Sequence, residues 1–215
     1  SPIFVGGLTN TTFNGIFEAN GTGLITWQNS GNKIFRNGIR GTGSISANAS
    51  AASAKFIING VTAELGGTGS LTVPAAGLQI GTNTTVNMIS DKTITGNITL
   101  LNTNSLIVLG NFNLTVTGTI SITQVSSYVR TSGTGKLILS ITTAGPIGAK
   151  LFPIGVTTIN PLFIQSTTVP VNYSARVVQP IAPPIFKNNE AVLRTWYITS
   201  SVISPGAIIS FGYSY

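Results

Sequence analysis

Cysteine and histidine are both absent from this 215-residue chain, and only Glu18, Glu64, Asp91 and Glu190 carry negative charge. Without cysteine no disulfide framework can form, which a secreted chain of this size tolerates. With neither thiolate nor imidazole, the ligands that zinc, copper and non-haem iron sites mostly use are missing. A Ser-His-Asp arrangement cannot be assembled. Glycoside hydrolysis needs two carboxyl groups flanking the bond, and calcium needs several carboxylates together; four acids this far apart along the chain suggest neither. The expectation is a non-enzyme, with no catalytic residue, no metal ligand and no cofactor.

Charge is scarce altogether, at 7% of residues against 42% hydrophobic. That apolar content offsets chain entropy, so a folded protein is expected. The formal charge is +7, but the basic residues are scattered from Lys33 to Arg194, the loose group Lys33, Arg36, Arg40 being the densest. Nucleic-acid binding needs phosphate contacts concentrated on one face, so no nucleic-acid partner is expected. An acidic cell-surface polysaccharide remains compatible with the positive field. No run of eighteen apolar residues occurs, so no transmembrane helix is expected. The opening "SPIFVGG" reads as a processed or excised start.

What the chain does have is short-period alternation. From Leu78 to Thr123, "LQIGTNTTVNMISDKTITGNITLLNTNSLIVLGNFNLTVTGTISIT" is a series of short strands separated by Gly and Asn turns, with an approximate repeat of about 20 residues. Ile80, Leu100 and Ile120 align, as do Val86 with Leu106 and Ile94 with Leu114. A short strand cannot bury its apolar face alone, so stacked rungs are expected: a parallel β-solenoid. In "NFNLTVTGTISIT", Phe112, Leu114, Val116, Ile120 and Ile122 take the core face, and Asn113, Thr115, Thr117, Thr119 and Ser121 the other. Hydroxyls and amides pairing along the stack supply polarity without charge. Upstream, Trp27, Phe35 and Phe56 read as filling wider or terminal rungs, with Trp27 also a candidate platform for stacking on a sugar. No aromatic occurs from Ile57 to Gly110, so the middle rungs are expected to be narrow and aliphatic.

After Thr131 the spacing becomes irregular. "KLILSIT", "KLFPIGV", "PLFIQS", "VNYSARVV", "RTWYITS" and "AIISFGYSY" read as longer strands of an antiparallel β-sandwich. This divides the chain into a solenoid over 1–131 and an Ig-like sandwich over 132–215, with Pro153 and Pro161 at strand starts or edges. Arg194 and Trp196 read as a packed pair.

The ordered blocks "FNLTVTGTIS", "YVRTSGTGKL", "LFPIGVTTINPLFI", "NYSARVV", "LRTWYIT" and "AIISFGY", with "GTGLITW" and "GNKIF" upstream, resemble large secreted surface proteins of the Bacteroidota. The resemblance implies export by the type IX secretion system and an adhesin-like or cell-envelope role. The usual C-terminal sorting domain is not in this sequence. The chain stops inside an alternating strand in which Ile209, Phe211, Tyr213 and Tyr215 share a face, which reads either as a fragment of a longer polypeptide or as a strand completing a neighbour's sheet. The resemblance also suggests O-glycosylation after Asp, but the one Asp, Asp91, is followed by Lys92. Asn-x-Ser/Thr triplets at Asn10, Asn20, Asn48, Asn83, Asn97, Asn113 and Asn172 read as a product of composition.

Two functional readings follow. The leading one is an extracellular or cell-surface structural or adhesive protein, a filament subunit or adhesin module, self-associating or joining neighbouring modules through Ile209, Phe211, Tyr213 and Tyr215. The alternative is a carbohydrate-binding or polysaccharide-degrading module using Trp27.

Overall fold

The computed structural model describes residues 3–5, 10–28, 30–47, 53–179, 194–203 and 206–212. The chain winds through about six turns of a parallel β-solenoid, at about 22 residues per turn. Each turn contributes one strand to each of three sheets. A central turn is made of Leu71–Thr72, Leu78–Ile80 and Thr85–Met88. The next is made of Lys92–Thr95, Ile98–Leu100 and Leu106–Val108, and these stack on their counterparts in parallel register. Strands this short present one or two inward side chains each, so burial comes from the rungs above and below.

The inward side chains form ladders. On the six-stranded sheet, Phe35, Ile58, Ile80, Leu100 and Ile122 follow one another in register, and Ile58, Ile80 and Leu100 have no exposed surface. On the nine-stranded sheet the sequence is Ile25, Ile45, Leu71, Ile94, Val116 and Leu139. The alignment of Ile80 with Leu100 is as the repeat predicted. The others shift: Leu100 pairs with Ile122 and Ile120 with Ile98, Ile94 with Val116 and Leu114 with Lys92, and Val86 with Ile107. Corners of unequal length cause this. A slip of two residues keeps the same side chains facing inward and is invisible in the hydrophobic pattern, whereas the one-residue difference at Val86 exchanges outward Leu106 for buried Ile107.

Aromatic residues occupy the N-terminal end of the core. Phe13, Phe17, Trp27, Phe35 and Phe56 form one cluster, with Phe13 stacked on Phe35 at 5.3 Å and Trp27 at 5.3 Å from Phe56. The middle is aliphatic, as expected. Outward hydroxyls run in register across the nine-stranded sheet: Ser46 with Thr72, Thr72 with Thr95, and Thr93 with Thr115.

Corners are held by polar side chains reaching to the next rung. Asn32 N–H donates to Asn10 Oδ1 (2.9 Å) and Lys55 N–H to Asn32 Oδ1 (2.9 Å). Asn113 N–H donates to Asp91 Oδ1 (2.8 Å) and Lys136 N–H to Asn113 Oδ1 (3.1 Å). These side chains substitute for the backbone ladder where the strands end. One corner is closed too tightly for any side chain. Gly38 has φ 111°, and a Cβ there would lie 1.9 Å from the Glu64 carbonyl oxygen, so the rungs approach this closely only around glycine.

The antiparallel part follows, but no break in the core falls at residue 131. Parallel pairing continues through Leu137–Ile141, stacked on Leu114–Val116, and Ile154–Gly155, stacked on Tyr128–Arg130. Val171–Val178 and then Thr195–Ser200 add antiparallel strands to the end of the nine-stranded sheet. Lys150–Phe152, Leu162–Gln165 and Ile208–Phe211 form a separate three-stranded antiparallel sheet. Phe152, Leu162, Ile164 and Val177 belong to the same buried cluster as Phe35 and Leu100. The described strands after residue 131 therefore cover the end of the solenoid and share its core. Pro161 immediately precedes Leu162–Gln165, and Pro153 lies between two strands, its carbonyl accepting from Val129 N–H (2.8 Å). No helix among the described residues is long and apolar enough to cross a membrane.

Candidate assembly edge

The strand Ile208–Phe211 is hydrogen-bonded on one side to Leu162–Gln165 and forms the outer edge of the three-stranded sheet. Its sequence, Ile-Ile-Ser-Phe, is β-prone and carries no charge. Antiparallel register places Ile209 opposite Ile164 and Phe211 opposite Leu162. Ile164 and Leu162 are fully buried, while Ile209 and Phe211 remain 38% and 41% exposed and Ile208, on the other face, 55%. No described strand lies beyond them to complete the cover. Phe211 is held from one side by Trp196, ring centroids 5.0 Å apart, and Phe163, opposite Ser210, is also exposed. The arrangement offers a row of backbone donors and acceptors flanked by apolar side chains, without the lysine, proline or bulge that usually blunts such an edge. Thr195–Ser200 is the terminal strand of the nine-stranded sheet. On it Tyr197 packs under Arg176, whose guanidinium carbon lies 4.3 Å from the ring centroid.

Of the four residues expected on the assembly strand, Ile209 and Phe211 are brought together on one face, and Tyr213 and Tyr215 lie outside the described residues. Trp27, read as a rung filler with sugar stacking as the alternative, takes the filling position. It is 1% exposed and enclosed by Phe13, Phe17, Phe35 and Phe56, so neither ring face is open to a ligand. Its strand is stacked between Ile3–Val5 and Ser44–Ala47, so the ring lies inside the stack. Arg194 and Trp196 meet through a shared partner: Arg194 Nε donates to Asn160 Oδ1 (3.1 Å) and Trp196 Nε1 to Asn160 O (3.4 Å).

Glu18 and Glu64, distant in sequence, both reach Arg40, at 3.3 Å and 3.1 Å. This three-rung ion stack on the seven-stranded sheet raises the Arg40 pKa, chiefly because the Glu18 carboxylate accepts from its guanidinium, and occupies both carboxylates. The period of about 22 residues was the signal for it, since Glu18 and Arg40 are separated by one turn and are Cα partners. Asp91 accepts from Asn113, and Glu190 lies outside the described residues. Burial lowers the pKa of Lys33, Lys92 and Lys150. No family model matches the chain, and no curated protein and no solved structure matches it either.

Proposed function

We propose that the chain is an extracellular structural or adhesive protein, a filament subunit or adhesin module of the kind found on Bacteroidota surfaces, joined to neighbours by strand addition at Ile208–Phe211. The carrying observation is an uncharged, apolar edge strand, exposed on both faces, at the end of a continuous core. Strand addition supplies main-chain hydrogen bonds for affinity, and burial of Ile208, Ile209 and Phe211 adds the apolar gain. Low charge and stacked rungs support a building role, and the resemblance of the sequence blocks supports the cell-surface setting.

The test is sedimentation velocity and negative-stain electron microscopy of purified protein across a concentration series, beside Ile209→Lys and Phe211→Lys. The expected outcome is concentration-dependent association in the parent, lost in both variants with unchanged circular dichroism. A parent that stays monomeric at its solubility limit would refute the proposal.

A further inference from the structure

The regular stacking ends at the seven-stranded sheet, and the chain there leaves a cavity. The final strand of that sheet, Ile154–Gly155, is two residues long, and the chain then folds back through Thr157 and Thr158 so that Gly155 bridges Ile159. Tyr128, buried beneath this turn, donates its hydroxyl to Val156 O (3.2 Å). The space between the turn and the preceding corner is about 350 Å³, bordered by Leu106, Val125, Tyr128, Arg130, Thr157 and Thr158 among others. That volume is in the range of small-ligand sites, and its mixture of apolar wall and few polar groups is characteristic of them.

Arg130 is the anomaly within it. Its in-register neighbours are Val108 and Gly155, neither of which accepts through its side chain. Its Nε is buried without a hydrogen-bond partner. Arg40 Nε is likewise buried without a well-formed hydrogen bond, but its guanidinium is ion-paired to two glutamates, and the remaining described arginines donate, Arg36 to Asn59 O, Arg176 to Gly133 O and Arg194 to Asn160. The described acids are already held by Arg40 or Asn113. A buried guanidinium nitrogen left without an acceptor is costly, and the guanidinium's planar fork matches a carboxylate in two parallel hydrogen bonds.

We propose that this cavity binds the carboxylate of an acidic sugar, a uronic acid unit of a surface polysaccharide. Arg130 takes the carboxylate, Thr157 and Thr158 face the ring hydroxyls, and Leu106 and Val125 cover the apolar face of the ring. This goes beyond assembly at the strand edge and does not depend on it.

The experiment is calorimetric and NMR titration with oligomers of galacturonate and glucuronate, the matching neutral glucose oligomers, and inorganic phosphate. The parent is compared with Arg130→Gln, Arg130→Lys and Val125→Trp, the last placing bulk at the exposed rim. The expected result is saturable binding of a uronate, at least tenfold weaker for Arg130→Gln and for Val125→Trp, with Arg130→Lys intermediate and no response to neutral oligomers. Absence of uronate binding in the parent would overturn the proposal. So would equal binding by neutral oligomers or phosphate, or unchanged affinity in a folded Val125→Trp.

Discussion

Lys92 stands where the fold calls for leucine. Its in-register successors on the nine-stranded sheet are Leu114 and Leu137, and it is only 5% exposed. The ammonium escapes the core by donating to Gly69 O (2.5 Å) and Gly67 O (3.2 Å), beside an open groove bordered by Asp91, Thr93 and Asn113. Burial pushes its pKa down from 10.5 to about 8. Below pH 8 the lysine is charged in both folded and unfolded chains, and the folded state carries the full cost. As pH rises through 8 the folded lysine releases its proton while the unfolded one keeps it up to 10.5, so the unfolded state binds more protons and stability rises with pH. The full gap corresponds to about 3 kcal/mol. Contact with the open groove screens part of it, leaving about 1–3 kcal/mol.

The perturbation is Lys92→Met, which keeps the stem volume and removes the titration. At neutral pH the relieved desolvation is offset by two carbonyls losing their donor, about 1–3 kcal/mol, so the pH dependence carries the information. Urea unfolding followed by tryptophan fluorescence, between pH 7 and 10.5, should show the parent gaining about 1–3 kcal/mol more than the variant. Lys33 and Lys150, whose pKa values are also lowered by burial, contribute equally to both proteins and cancel. Parallel curves for the two proteins would show that Lys92 is not desolvated in the folded state.

Leu100→Ala, between Ile80 and Ile122 with no exposed surface, should cost about 2–5 kcal/mol in urea unfolding; a loss under about 1 kcal/mol would mean that the rungs are loosely packed. Gly38→Ala forces a Cβ to 1.9 Å from a carbonyl oxygen at positive φ and should abolish cooperative folding, whereas Gly15→Ala, with nothing within 4 Å, should leave the thermal midpoint nearly unchanged.

The solenoid was legible in the sequence because inward and outward residues alternate cleanly. Leu114 and Val116 are buried and Thr117 exposed, as the alternation in "NFNLTVTGTISIT" required. Register was less legible, since the two-residue difference between Ile120 and Ile122 leaves the apolar face unchanged. The shared core beyond residue 131 was hidden by longer strands and irregular turns: Leu137–Ile141 is parallel to one neighbour and antiparallel to the other, a change of partner that no local pattern records. The sequence read Trp27 first as a rung filler and second as a sugar platform, and choosing between the two takes the packing of four other rings around it, which no local pattern records. The Arg130 cavity depends on a fold-back after a two-residue strand, and nothing in "YVRTSGTG" announces it.

The antiparallel character of the closing sheet has a geometric consequence for growth. If Ile208–Phe211 pairs antiparallel with the same strand of a second copy, the two are related by a twofold axis, each spends its edge on the other, and the process halts at a dimer. Extension into a fibre requires a donor that differs from the acceptor, so that every added copy leaves a fresh acceptor behind. Particle size distributions, a single doublet species against a ladder of lengths, would distinguish these symmetries.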